Sequence, residues 1–240
     1  SILVKNFERQ NTLIETRLFM RHMDDGSWAG YTYKWEDDQT DATRVVGGSI
    51  EPAGGSDWIY PSESQCLQCH TAAAGRALAP ELLQLTSSII YPSTGRTANQ
   101  LATLDHINLL SPPLADDPAN LPALPDPFGS APLEDRARAY LHSNCSGCHR
   151  PGTPLQSTMD LRYDTPLAST NACNADSITG GNLGIPNAKL IAPGNAELSL
   201  IPVRMGLRDA NAMPPLGSLV ADDNGVNLIS AWINSLAGCS

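Results

Sequence analysis

The tightest constraint on this chain is a five-residue phrase that occurs twice, as Cys66-Leu67-Gln68-Cys69-His70 and as Cys145-Ser146-Gly147-Cys148-His149. Cysteines at i and i+3 lie on one face of a helical turn. Their thiols can therefore reach one flat ligand together, while the next residue aims its imidazole at that ligand's centre. This is what covalent attachment of a c-type haem requires: two thioethers to the porphyrin and a proximal nitrogen for its iron. The chain has only six Cys and five His, so a chance repeat is a poor explanation. The expectation is two covalently bound haem c groups, with Cys66, Cys69, Cys145 and Cys148 as thioether donors and His70 and His149 as proximal iron ligands. A four-thiolate zinc site fits less well. Such sites usually bring their second cysteine pair within roughly 15–20 residues, and zinc gives no reason for a histidine after both pairs. A dithiol redox enzyme would carry one such motif beside a βαβ pattern, which the sequence does not offer.

Composition agrees with a cofactor-filled core. Of 240 residues 41% are hydrophobic but only 5% aromatic, and 19 Gly with 19 Pro signal much irregular backbone. The formal charge of -10 argues against nucleic acid as a partner, because phosphate binding needs a basic footprint; a basic redox protein would instead be steered toward the chain. No run of about 18 apolar residues marks a transmembrane helix. Ser1 is not followed by a charged-then-apolar secretion signal, so the chain reads as a processed form, with a lipid anchor upstream of Ser1 left open. Because haem thioethers are made outside the bacterial cytoplasm, the expected location is periplasmic or extracellular. In such oxidising compartments leftover cysteines pair, so Cys173 and Cys239 are expected to form a disulfide; two separate buried thiols are the alternative.

Along the chain, residues 1–60 read as an N-terminal β region. Leu13 to Met23, an Asp24-Asp25-Gly26 turn and the alternating Trp28 to Trp35 make a hairpin, and Val45, Val46 and Ile50 suggest a further short strand. The aromatic row suits a haem cap or a docking face. Residues 61–111 read as a first haem unit, with a short helix through the motif, a second helix over 80–87 and a third capped by Thr97 that carries Leu101, Leu104 and Ile107 at helical spacing and packs over the first haem. Residues 112–131 form a Pro-rich linker. Residues 132–240 read as a second haem unit: Pro132 opens a helix that runs into Cys145, a short helix lies near Glu197 to Val203, and a final helix starts at Asp222 or Asp223, buries Leu228, Ile229, Trp232, Ile233 and Leu236, and is closed by Gly238. The expected fold class is mainly α with much irregular structure: two cytochrome-c-like haem units plus an N-terminal β-hairpin region.

The helix into Cys-Ser-Gly-Cys-His, the long irregular middle, Met213-Pro214-Pro215 and the closing helix with Trp232 make residues 132–240 resemble the small soluble cytochrome c fold. By that resemblance Met213 is the distal iron ligand opposite His149, with Met205 and Met159 as competitors. More widely, Trp-Ala-Gly-Tyr-Thr-Tyr-Lys-Trp at 28–35, Cys-Leu-Gln-Cys-His-Thr at 66–71, Tyr-Leu-His-Ser-Asn-Cys-Ser-Gly-Cys-His-Arg-Pro-Gly at 140–152 and Met-Pro-Pro-Leu-Gly at 213–217 resemble a family of bacterial exported cytochrome-like proteins. Some of its relatives stand beside or are fused to quinoprotein sugar dehydrogenases. The resemblance implies haem attachment but no substrate.

The first haem has no methionine between Met23 and Met159. Its distal ligand is therefore left to His106, with His22 as alternative, or to an empty position; His142 is read as a hydrogen-bonded helix residue. Arg204 is the candidate partner of a haem propionate, since Arg binds carboxylates in bidentate fashion. The expected function is electron transfer by a di-haem c-type cytochrome, a carrier rather than an enzyme, with redox proteins as partners, a quinoprotein dehydrogenase or other cytochromes among them, and self-assembly open. The alternatives are a di-haem peroxidase-like enzyme with one open haem site, in which His106, Glu81 or Asp105 would serve as acid–base group, and a cytochrome subunit of a dehydrogenase or multi-haem assembly.

Overall fold

Two strands joined by a two-residue turn start the structure, a computed structural model that describes residues 2–78 and 80–240. Strand β1 (Ile2–Arg9) turns through Gln10 and Asn11, at φ 51° and 62°, into β2 (Thr12–Arg21). Positive φ at both central residues is what a tight hairpin with right-handed strand twist demands. Strands β3 (Trp28–Trp35) and β4 (Ala42–Val45) complete an antiparallel sheet in the order β1-β2-β3-β4. Its register sets Phe7 opposite Glu15, Phe19 opposite Gly30 and Glu15 opposite Lys34, so these residues share one face.

That face is inward and partly polar. Glu15 is fully buried, its carboxylate accepting from Arg17 at 2.6 and 2.8 Å and from the Trp58 indole N–H at 2.8 Å. Trp58 belongs to the hairpin β5 (Ser49–Ala53) and β6 (Ser56–Tyr60), which packs edge-on against Phe7 at 5.5 Å between ring centroids. The same face receives α1 (Glu63–Cys69). The chain then makes a 3-10 turn over Leu82–Gln84, a hairpin of β7 (Ser88–Tyr91) and β8 (Arg96–Asn99), and α2 (Gln100–His106).

The C-terminal half is built on α3 (Leu133–Cys145), α4 (Leu200–Gly206) and α5 (Asp223–Ser235). Helices α3 and α4 both pack on α5, and Tyr140, Leu141, Met205, Ile229, Trp232 and Ile233 meet in one buried cluster. Asp222 caps α5, accepting from the Gly225 N–H at 3.1 Å, while its other oxygen accepts from the Tyr140 hydroxyl at 2.8 Å. Burial and this carboxylate push the Tyr140 phenol well above its ordinary pKa. Between α3 and α4 the backbone is largely irregular, held by isolated parallel bridges Cys173–Ile191 and Lys189–Ser199.

The mainly α expectation is corrected. Among the described residues 25% are helical and 22% lie in strands, arranged as three antiparallel sheets, so the fold is mixed α and β. Residues 80–87 do not form a helix: Glu81 is extended and only Leu82–Gln84 turn. Thr97 lies in β8 and α2 starts three residues later, with the Asn99 side chain accepting from the Ala102 N–H at 3.1 Å. Gly95, at φ 66°, supplies the turn that folds 88–99 back as a hairpin. Two smaller corrections concern helix ends: α4 begins at Leu200 rather than near Glu197, and α5 ends before Leu236 rather than at Gly238. No helix among the described residues is long and apolar enough to cross a membrane.

Cys173 and Cys239 are joined by a disulfide across 66 positions of sequence. Closing a loop of that length removes denatured-state entropy worth about 4 kcal/mol in the chain-entropy treatment. Replacing both cysteines by serine is therefore expected to lower stability by about 2–4 kcal/mol, read as a fall in the urea midpoint with both Cys-X-X-Cys-His motifs intact.

Candidate functional site

Both Cys-X-X-Cys-His phrases fold into the same turn. In the first, α1 carries Cys66 and Cys69 and the His70 N–H donates to the Cys66 carbonyl at 3.0 Å; in the second, α3 ends at Cys145 and the His149 N–H donates to the Cys145 carbonyl at 2.8 Å. Ser62 and Gln65 fix the start of α1, the Ser62 N–H donating to Gln65 Oε1 at 2.8 Å. Each imidazole is also anchored by Nδ1. His70 Nδ1 donates to the Arg76 carbonyl at 2.6 Å, and His149 Nδ1 lies 3.2 Å from Ser157 Oγ. A carbonyl can only accept, so the lone pair of His70 resides on Nε2, the atom a metal would use. Burial lowers the pKa of both histidines. A lowered pKa favours the neutral ring, the form a metal would need.

The first motif is held by the sheet. Phe19 stacks on His70 at 4.0 Å between centroids and on Trp28 at 5.2 Å. Gly30 backs directly onto Cys66: a Cβ at position 30 would fall 2.6 Å from the Cys66 Cβ, closer than side-chain atoms approach. Gly30→Val is therefore expected to push α1 off β3, costing about 1–3 kcal/mol of overpacking, read as a fall in the urea midpoint.

The second motif opens on two cavities, of about 160 Å³ and about 420 Å³. Cys145, His149, Met205 and Met213 line both; the smaller also reaches Met159 and Leu200. Met213 is fixed by its own N–H, which donates to the Arg204 carbonyl at 2.9 Å. The larger volume lies within the roughly 300–1,000 Å³ of cofactor pockets. Arg204 borders the smaller cavity with its guanidinium donating to the Asn211 and Gly180 carbonyls at 3.2 and 2.9 Å. Arg208 borders the larger one, and its Nε is buried with no hydrogen-bond partner. The sequence reading singled out Arg204 and missed Arg208. The two are one turn apart in sequence, and nothing local tells them apart.

An apolar cavity between a neutral histidine and a methionine, two thiols at its edge and an orphaned guanidinium N–H fit a haem with its carboxylates. The other sequence candidates are placed elsewhere. His106 is exposed at the end of α2, which packs mainly on β8. His22 Nε2 is hydrogen-bonded to the Tyr31 hydroxyl at 2.8 Å. His142 is buried, with Nδ1 accepting from the Tyr163 N–H at 2.9 Å and Nε2 donating to Glu81 at 2.9 Å, so both ring nitrogens are taken. Among the described residues no three His, Cys, Asp or Glu side chains converge on one position. Cys69 and Cys148 border the same larger cavity, near enough that each perturbs the other, the Cys69 thiol downward and Cys148 upward, while burial raises Cys145 to about 12. No protein-family model, curated protein or solved structure matches this chain.

Proposed function

We propose that the chain is a di-haem c-type cytochrome that relays electrons between redox partners outside the cytoplasm. Cys66 and Cys69 would hold one haem and His70 its iron; Cys145 and Cys148 would hold the other, with His149 and Met213 as the residues that would bind its iron. Each haem supplies one reversible electron through its iron. The observation that carries the reading is the bond both motifs share, from the histidine N–H to the carbonyl of the first cysteine, with each histidine tied at Nδ1 and the second facing a cavity that Met213 also lines.

A carrier is favoured over a peroxidase because the groups that would move protons for peroxide cleavage are committed. Glu81 accepts from His142 and from Arg150, Asp105 accepts from the Leu114 N–H at 3.0 Å, and His106 is exposed. A methionine ligand raises the potential of the second centre, which suits it as the electron exit. The negative charge of the chain favours a basic partner, and a quinoprotein dehydrogenase is the donor class the sequence resemblance points to. The Cys173–Cys239 disulfide is in keeping with an oxidising compartment. The test is intact mass under denaturing conditions. Every chain is expected to carry the added mass of two haems, and a colourless or zinc-containing protein would sink the proposal. Rapid cyanide or peroxide binding by the reduced protein would move it to the enzyme reading.

A further inference from the structure

One short stretch of chain holds His149 twice. The His149 carbonyl accepts from the Leu161 N–H at 2.9 Å, and its ring Nδ1 lies 3.2 Å from Ser157 Oγ. The stretch is itself fixed. The Thr158 carbonyl accepts from the Asn171 side chain at 3.0 Å and the Asp160 N–H donates to the Thr170 carbonyl at 2.9 Å. Met159, Asp160 and Leu161 are buried, and Ser157 lines the smaller cavity beside His149. The hydroxyl therefore meets the ring from a braced position.

The two motif histidines differ in what Nδ1 meets. His70 donates to the Arg76 carbonyl at 2.6 Å. His149 meets a hydroxyl at the long end of the N–H···O range. A serine hydroxyl has one proton and two lone pairs, and here one lone pair already takes the Met159 N–H at 3.3 Å. The other is left for the ring. An oxygen shared with a second donor, at 3.2 Å, is a weaker acceptor than a carbonyl at 2.6 Å.

That difference bears on ligation, because the acceptor behind a ligating imidazole sets the tautomer and the basicity of the ring. The more fully the Nδ1 proton is given away, the more electron density Nε2 offers, and the more the oxidised metal is favoured. Second-shell hydrogen bonding is one of the levers on a haem potential. Resting on the di-haem reading above, we infer that Ser157 is the positioning residue of His149. Its hydroxyl accepts the Nδ1–H, leaves the lone pair on Nε2, and by the length of that bond keeps His149 a weaker electron donor than a carbonyl partner would. The second centre is thereby raised in potential from the histidine side. Removing the acceptor raises it further, and strengthening the acceptor lowers it. A serine that only held the loop in shape would give neither sign.

The experiment is a spectroelectrochemical titration of the full chain, with two haems per chain confirmed by denatured mass. Ser157→Thr keeps the hydroxyl and should leave the second potential where the parent has it. Ser157→Ala should raise it, and Ser157→Asp, with a charged acceptor, should lower it. Each shift is expected to be about a tenfold change in the ferric-to-ferrous ratio, about 59 mV for one electron. The sulfur-to-iron band should persist in all three, which separates the shift from a change of axial ligand. Should the Ser157→Ala chain fail to load, the reduced parent decides the point by nitrogen-15 NMR: the His149 Nδ1 proton should be less deshielded and exchange faster than that of His70. The reverse order overturns the inference. So does a shift of the same sign, or none, in Ser157→Ala and Ser157→Asp, with the two-haem mass intact. A parent that lacks the second haem's mass overturns the di-haem reading, and the role of Ser157 falls with it.

Discussion

Gly225→Leu is expected to open the C-terminal unit, with a loss of about 3–5 kcal/mol once overpacking and a severed buried hydrogen bond are both charged to it. Position 225 lies in the first turn of α5, where α3 crosses it. A Cβ there would fall 2.7 Å from Tyr140 Cε2 and nearer still to the ring's Cζ and hydroxyl. Tyr140 has no easy retreat. It is 8% exposed, sits in the main apolar cluster and gives its hydroxyl to Asp222, the cap of the same helix. Helices α3 and α5 would have to separate, and with them Leu141 from Trp232 and the end of α3 that presents Cys145. Against a typical domain stability of roughly 5–15 kcal/mol, this is a large share. Urea unfolding followed by far-ultraviolet circular dichroism measures it. Gly206→Ala, at a helix position with nothing within 4 Å of the added carbon, is the control and should change stability little. If Gly225→Leu matched the parent, the crossing described here would be wrong.

The same crossing shows what kind of information the sequence held. Pro132, Asp222 and the stripe Leu228, Ile229, Trp232 and Ile233 are local signals, a start, a cap and a period, and the C-terminal helices stand close to where those signals put them. The β2–β3 hairpin was equally legible, because its turn contains Asp-Gly. Strand β1 was not. Its turn is made by Gln10 and Asn11 in left-handed conformations, and as an edge strand it exposes Ile2 and Val4, which weakens the alternation that marks a half-buried strand. Residues 88–107 misled for a different reason. Leu101, Leu104 and Ile107 have helical spacing, but the hairpin ahead of them, turned at Gly95, delays the helix until Asn99 caps it. The mainly α expectation failed in this N-terminal half.

For the candidate site the division is similar. The motif residues, and the methionine suggested by the small cytochrome c resemblance, could be read from the chain. Their mutual arrangement could not: the cavity wall shared by Cys69 and Cys148, the bonds from Glu81 to His142 and Arg150 and the orphaned Arg208 N–H depend on packing between segments with no local signature. The structure also gives the N-terminal sheet a definite part. Its inner face, through Phe19, Gly30 and Thr32, backs the first motif, with Thr32 Oγ1 donating to the Pro61 carbonyl at 3.0 Å just before α1. The sheet is thus a wall against which the first motif packs rather than a separate appendage.

On the proposed function, Met213→Ala should have the largest effect on redox behaviour. The oxidised protein is expected to lose its sulfur-to-iron charge-transfer band, and the potential of the second centre to fall by on the order of 0.1 V or more, within the roughly 0.8 V that axial ligands command. The sign follows because a thioether sulfur favours the ferrous state, so its removal stabilises the ferric form. Three methionines surround the cavities, and the experiment must separate them. Met205 lines both, Met159 only the smaller, and each is buried in the apolar cluster. Met205→Leu and Met159→Leu are near volume-conserving and should cost under about 1.5 kcal/mol while leaving the band in place. Met213 differs from both in standing outside that cluster, half-buried, with its backbone N–H bound to the Arg204 carbonyl at 2.9 Å, so its thioether is free to serve a ligand rather than the core. A band that survives in Met213→Ala and vanishes in Met205→Leu would transfer the axial role to Met205. A band absent from the parent protein would leave His149 without a sulfur ligand opposite it, and with that the high-potential exit assigned to the second centre would go.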